Sequence, residues 1–303
     1  MSEPRYMGGQ AVLEGVMMRG ANTWAIAVRT PDGDINVDVR EAPTWGDKYR
    51  NIPVLRGVMG LAESLSLGYR ALTWSANQQV PEEDRISEKA LGWAVLPAAL
   101  FFSAIFIVIP AFAGKGVSHR IPGSFPVAEG IVRLALFIGY LLLVGQLRDI
   151  RRVFMYHGAE HKAIAAYEND VELTPEAAQQ FSTAHVRCGT NFLLTVMVVA
   201  VFVYSFVPRP NLWFVIASRV LLMPVIAGLS YEVIRYFAKN MRRPWVRVIS
   251  RPGLWLQRLT TREPELDQLE VAIASLQAVF TAEQRVEVQS CAGRLVPAVA
   301  PAV

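Results

Sequence analysis

Leu91 to Ala113 is an uncharged run of 23 residues, and it narrows the possible folds more than any other feature of the chain. As a helix it is long enough to cross a hydrocarbon core of about 30 Å. Three more apolar runs follow: residues 131–147 with Arg133 near the start, 192–207, and 212–229 with Arg219 inside. Each of the three reaches spanning length by borrowing small or polar flanking residues. Hydrophobic residues make up 52% of the 303 and charged residues only 18%, against about 25% in soluble domains. The apolar excess is concentrated in the four runs, which short loops join in pairs. The expected fold is therefore mainly α: a polytopic membrane helix bundle of about four transmembrane helices, rather than one large soluble core. The same composition excludes a disordered chain. Two cysteines far apart, Cys188 and Cys291, exclude a disulfide-stapled secreted domain.

Charge placement predicts the orientation. Loop 114–130 holds Lys115 and Arg120, and loop 208–211 holds Arg209. Segment 148–190 holds Arg148, Arg151, Arg152, Lys162 and Arg187, and the stretch after the fourth run holds Arg235, Lys239, Arg242, Arg243 and Arg247. The positive-inside rule puts the second group, and with it both termini, in the cytoplasm of a cell whose inner membrane holds the bundle. No cleaved signal peptide is expected, because Met1 to Gly9 has no apolar core. The net charge of +4 follows from this topology. The partner implied is a lipid bilayer. No nucleic acid is implied, since no basic stripe is interleaved with aromatics.

Four regions follow from this. Residues 1–89 form a cytoplasmic N-terminal region, in which Trp24–Arg29 and Ile35–Val39 flank a Pro-Asp-Gly turn and predict a small β-hairpin. Val54, Val58, Leu61, Leu65, Tyr69 and Leu72 then recur at helical spacing, the stripe of an amphipathic helix lying on the membrane or beside the bundle. Residues 90–230 are the bundle, with Pro224 expected to kink the fourth run. Residues 231–281 hold a Trp- and Arg-rich headgroup segment (244–259) and a helix with the seam Leu266, Leu269, Ile273, Leu276 and Phe280. Residues 282–303 read as a loose tail.

The scarce polar chemistry is gathered in one place. Three of the four histidines, His157, His161 and His185, fall in segment 148–190, with Cys188 three residues beyond the last. On a helix His157 and His161 share a face one turn apart, with Glu160 beside them. Two imidazoles so placed suit a divalent transition metal, zinc above all, and a neighbouring carboxylate suits the handling of a proton from water. The spacing H-x-x-E-H also occurs in inverted zinc peptidases, which take a third ligand from a glutamate far downstream, but here two membrane spans separate it from Glu232. The bland alternative is a helical pair of interfacial histidines. Cys188 before the third run adds a thiolate favoured by the start of a helix. Glu168 and Glu232 are further candidate ligands, and Arg187 a candidate oxyanion stabiliser. Arg219 inside the fourth run must pair with Glu129 or a carbonyl, or line a cavity. The Gly-rich segment Gly8 to Gly20 lacks phosphate-loop spacing; it is expected to pack as a loop against the metal site, with Gln10, Glu14 or Arg19 reaching in.

Gly8–Arg19, Tyr156–Lys162, Tyr167-Glu168, His185–Thr190 and Ser230–Glu232, in this order, resemble the bacterial YqhQ-like membrane protein family over about residues 7–281. Members are described as predicted metal-dependent enzymes, which the resemblance extends to this chain. His157, Glu160, His161, Glu168, His185, Cys188 and Glu232 all fall within matching motifs. Two functions are expected in turn: a metal-dependent hydrolase at the cytoplasmic membrane edge acting on a lipid or peptide, with Glu160 as base; or a non-catalytic protein whose metal site is structural or sensing. Transport ranks below both. Neither substrate nor oligomeric state is legible.

Overall fold

The computed structural model describes residues 7–185 and 187–295, and of 88–89 and 283–295 the backbone alone. Of the loose tail expected over 282–303, the backbone as far as Leu295 continues the last helix, and 296–303 lie outside the described residues. The chain is mainly helical, with one small antiparallel sheet at its N-terminal end. The predicted hairpin is present as β3 (Thr23–Arg29) and β4 (Ile35–Glu41). The Gly-rich segment, expected as a loop, is a second hairpin, β1 (Gly8–Val12) and β2 (Gly15–Arg19), and the four strands form a meander in chain order. Its turn is Leu13-Glu14, where Glu14 takes the left-handed conformation at φ 51°. Gly15 is required beside it, because a Cβ there would stand 2.2 Å from the Ala27 carbonyl oxygen. The glycines therefore serve close strand pairing, and the apolar run Val16-Met17-Met18 is the strand signal that their loop-forming reputation masked.

The helices are α1 (Leu55–Gln78), α2 (Glu88–Ser103), α3 (Ile109–Arg120), α4 (Phe125–Val144), α5 (Arg148–Glu168), α6 (Pro175–Gln179), α7 (Gly189–Ser205), α8 (Leu212–Leu221), α9 (Met223–Lys239), α10 (Pro244–Thr260) and α11 (Leu266–Leu295). Both faces of the sheet are covered, as a four-stranded meander needs for stability. Val12, Met17, Trp24, Ile26 and Val28 pack on Leu67 and Ala71 of α1. Val16, Met18, Ala25 and Ala27 pack on Tyr156, Ala159 and Ala163 of α5 and on Leu269, Ala272 and Leu276 of α11. The α11 helix thus docks onto the protein itself, although Leu266 of the expected seam is exposed and Val271 and Ala272 are buried instead.

The predicted stripe of α1 is not its packed face. Leu65 is 64% exposed and Leu72 41%, whereas Gly57, Leu67, Gly68 and Ala71 are buried. The reason is close approach. A Cβ on Gly57 would meet Tyr231 Cβ at 2.7 Å, and one on Gly68 would meet Gln10 Oε1 at 2.5 Å. The small-residue side therefore takes α9 and the sheet, and the leucine side is left outward.

All four apolar runs are helical, though not all are spans by length. Ala90–Arg120 is continuous through a π-turn at 104–108, and it and Phe125–Val144 are long and apolar enough to cross a membrane. The pair α8–α9 makes a third if counted as one span bent by 48°. The kink expected at Pro224 is thus a full break after Leu222, with Pro224 in the first turn of α9. The α7 helix, with 17 residues, is apolar but shorter. The second run and the histidine helix are also separate: α4 ends at Gly145, and α5 starts after extended Leu147.

Arg219 pairs with Glu129, both essentially buried, through Nε to Oε1 at 2.9 Å and a second contact of 2.5 Å. Arg133 adds a bond to Glu129 at 2.7 Å and donates Nε to the Phe106 carbonyl at 2.9 Å. That carbonyl lies four residues before Pro110, which has no N–H to give it. Proline, π-turn and arginine therefore belong to one device. Removing one partner of a buried pair leaves a bare charge at a cost of about 3–5 kcal/mol. Glu129→Gln should lower stability by about 3 kcal/mol or more, read as a fall in the thermal unfolding midpoint of the detergent-solubilised protein. An unchanged midpoint would show that the network does not hold the bundle.

Candidate metal centre

The site is built on α5, which is polar in sequence yet buried from Gly158 to Ile164. His157 and His161 lie one turn apart with ring centroids 4.5 Å from each other. Each ring is fixed by a backbone carbonyl. His157 Nδ1 donates to Thr260 O at 2.9 Å, and His161 Nδ1 donates to Thr183 O at 2.5 Å. A carbonyl only accepts, so in the neutral rings the proton sits on Nδ1 and the Nε2 lone pair is free. That is the tautomer and the outer-shell arrangement of metal-binding histidines.

Cys188 arrives from the start of α7, where it is the N-cap residue. Its Sγ accepts from Thr190 N at 3.4 Å and stands 3.4 Å from His157 Nε2. One ligand atom from each of His157, His161 and Cys188 lies within 4.8 Å of the other two, and among the described residues these three alone form such a group. Ligands on a tetrahedral zinc at about 2.0–2.3 Å are roughly 3.5 Å apart, so the set fits with small side-chain adjustments. The donors, two imidazoles and one thiolate, suit zinc or a similar borderline ion, and three ligands leave a fourth position.

Around the trio is a second ring of polar residues. The His185 ring lies 5.5 Å from that of His161, but its Nε2 is 3.5 Å from Glu168 Oε2. Glu168 also pairs with Arg187. These partners hold the Glu168 carboxyl below the usual carboxylate range against the opposing effect of burial. The backbone of His185 is clamped by Gln257, which accepts from His185 N at 2.9 Å and donates to its carbonyl at 2.8 Å. Glu160 is buried and takes an N–H from Gly9; burial pushes its carboxyl above the usual range. A Cβ on Gly9 would stand 2.9 Å from Glu160 Cδ and 2.8 Å from Met17 O. Here the first hairpin reaches the site.

The predicted residues thus divide. His157, His161 and Cys188 are brought together, Glu160 lies beside them, and His185, Glu168 and Arg187 form an adjoining chain. Glu232 is not in this group. It binds Arg56 in two contacts and accepts Val54 N at 3.2 Å, holding the first turn of α1, where Val54 sits at φ 68°. Glu14 pairs with Arg152 of α5 and Arg19 with Glu63 of α1, so both brace the hairpin instead of reaching in. Nothing in the sequence marks the Thr183 and Thr260 carbonyls, since any residue supplies one. Gln257 was hidden in a segment read as a headgroup helix. That segment, α10, is two-faced: Val246, Leu256 and Gln257 are buried, while Trp245, Val248, Ile249 and Trp255 are exposed.

Residues 52–282, which include every residue of the trio and its neighbours on α5, α7 and α10, match the family described as protein of unknown function DUF1385. The chain is also similar to the uncharacterized protein YqhQ of Bacillus subtilis (strain 168), 35% identical over 300 residues, covering 92% of this chain and 94% of that protein. No solved structure matches it. The chain therefore belongs to the DUF1385 family, alongside YqhQ.

Proposed function

We propose that this chain is an integral membrane protein whose His157, His161 and Cys188 hold a divalent transition metal, zinc by preference, in a metal-dependent hydrolase site at the cytoplasmic edge of the inner membrane. The observation that carries the proposal is the pair of imidazoles with Nδ1 tied to carbonyls and Nε2 gathered with one thiol. The four apolar helical stretches are read as spans, the last one bent, with both termini cytoplasmic. The outward Leu65 and Leu72 of α1 and the outward Trp245 and Trp255 of α10 then lie against the membrane surface. A bound ion of this type supplies Lewis acidity at the fourth position.

The chain's own residues do the rest. Glu160, desolvated and aimed by the Gly9 N–H, takes the proton from an attacking water. His185, Glu168 and Arg187 form a linked chain beside the trio. Arg187 is held by Glu168, so the oxyanion role expected of it is left out of the proposal. The substrate class is a lipid or peptide presented at the membrane edge. A second, non-catalytic reading, in which the metal is structural or sensing, is favoured by one observation: His161 and Cys188 are buried, as in closed structural sites.

The purified protein should carry about one transition metal per chain by elemental analysis. His161→Ala or Cys188→Ala should lower that content at least about tenfold, since losing even a hydrogen-bond partner of a ligand costs about that much affinity. Metal-free protein that supports full function in cells would defeat both readings. Glu160→Gln separates them: retained metal with lost complementation supports the hydrolase, and retained metal with retained complementation supports the structural site. Gly9→Ala forces a Cβ into Glu160 and the Met17 carbonyl. It should cost about 1–3 kcal/mol of stability, measured by thermal unfolding, and reduce complementation while the metal is kept.

A further inference from the structure

At the far end of α4 and α7 from the metal trio is an open cavity of about 820 Å³. Phe125, in its lining, begins α4, whose 20 residues reach about 30 Å before α5 begins. Arg209 and Leu212 line it just past the end of α7, whose other end is capped by Cys188. The cavity and the metal trio therefore occupy opposite ends of the same two helices.

Its chemistry is one-sided. Lys115, His119 and Arg120 from the last turns of α3 and Arg209 from the α7–α8 link line it, and among the described residues no carboxylate does. The nearest acid in the bundle, Glu129, is engaged by Arg219 and Arg133. That buried network holds two guanidinium groups against one carboxylate, so it adds a surplus positive charge behind the cavity wall. Arg209 and Arg219 both lie over the Phe125 ring, at 5.4 and 5.6 Å. Uncompensated cations on one concave surface create a positive potential that draws anions. Apolar surface adjoins them: Phe112 and Leu212 line the same cavity, and Phe112 is exposed beside it.

We infer that this cavity binds a multiply charged phosphate group, two phosphates held by Lys115, Arg120, Arg209 and His119, with an apolar chain lying along Phe112 and Leu212. Three permanent cations suit a dianion or trianion better than one phosphodiester. Arginine forks bind phosphate oxygens bidentately and lysine adds a point charge. The same chemistry comes from a bis-phosphate lipid headgroup or from a free diphosphate. The inference uses the membrane reading for the apolar chain only and is independent of the metal centre.

The test uses the full chain in detergent. Inorganic pyrophosphate is titrated by calorimetry, and native mass spectrometry counts cardiolipin and phosphatidylcholine retained from mixed micelles. The wild type should bind one pyrophosphate per chain or retain cardiolipin over phosphatidylcholine by at least tenfold. Arg120→Gln/Arg209→Gln should weaken either binding tenfold or more, while Arg120→Lys/Arg209→Lys should lose less than the glutamine pair, since lysine keeps the point charge but not the bidentate fork. Cardiolipin retention displaced by pyrophosphate marks a lipid headgroup as the source. Pyrophosphate binding without cardiolipin preference marks a soluble diphosphate. Binding of neither probe, or equal binding by the glutamine variant, overturns the inference. An unchanged thermal unfolding midpoint and a monodisperse profile in the variant show that lost binding is not lost folding. Pyrophosphate binding in detergent needs no bilayer, so a failed membrane reading leaves that arm intact.

Discussion

A Cβ at Gly158 would stand 2.1 Å from the carbonyl oxygen of Arg262, so the segment after α10 lies against α5 only where that side chain is missing. Once there, Arg262 N donates to the Phe154 carbonyl at 2.9 Å, and Thr260 O reaches His157. The sheet is seated on α5 in the same way, by Gly9 against Glu160. A helix carrying two histidines, a lysine and a glutamate on its middle turns is expensive to bury unless each polar atom has a partner. The two glycines bring the backbone close enough to provide those partners. Lys162 shows the same rule at the edge of the site: its Nζ, nearly fully buried, is met by Gln179 O and Glu263, both at 2.6 Å.

The two ends of the bundle use charge differently. At the α5 end, basic groups meet acidic partners: Arg152 with Glu14, Arg56 with Glu232, and Arg187 with Glu168. These pairs fix elements to one another. At the α3–α8 end, the cavity lining has cations and, among the described residues, no carboxylate. Between the ends, one glutamate holds two arginines inside the apolar bundle, which joins π-turn, α4 and α8 in a single polar contact where apolar packing alone leaves their register open.

Much of the fold was legible because its signals are local. Apolar run length located α2 to α4, α7, and α8 with α9, and the Pro-Asp-Gly turn located β3 and β4. The histidine pair was legible because a one-turn spacing on a helix needs no tertiary information. The first hairpin was not, since glycines that serve close strand pairing look the same in sequence as glycines that open a loop. The packed side of α1 was misjudged for a related reason. Small residues at Gly57 and Gly68 allow closer contact than the leucine stripe does, so the less apolar face is the buried one.

The sequence by itself determined which residues are chemically capable: three histidines and a cysteine gathered between the second and third apolar runs, and a glutamate next to one of the histidines and about one turn from another. Residue type and short-range spacing suffice for that. Only the tertiary structure decided which of them meet. Cys188 joins His157 and His161 because the start of α7 is brought to α5. Glu232 is drawn away by Arg56, and the proton on each imidazole is placed by carbonyls 22 and 103 residues distant along the chain. Backbone carbonyls carry no sequence signature, and pairing between distant side chains depends on which surfaces fit. For that reason the ligand set, unlike the ligand types, is a property of the folded chain.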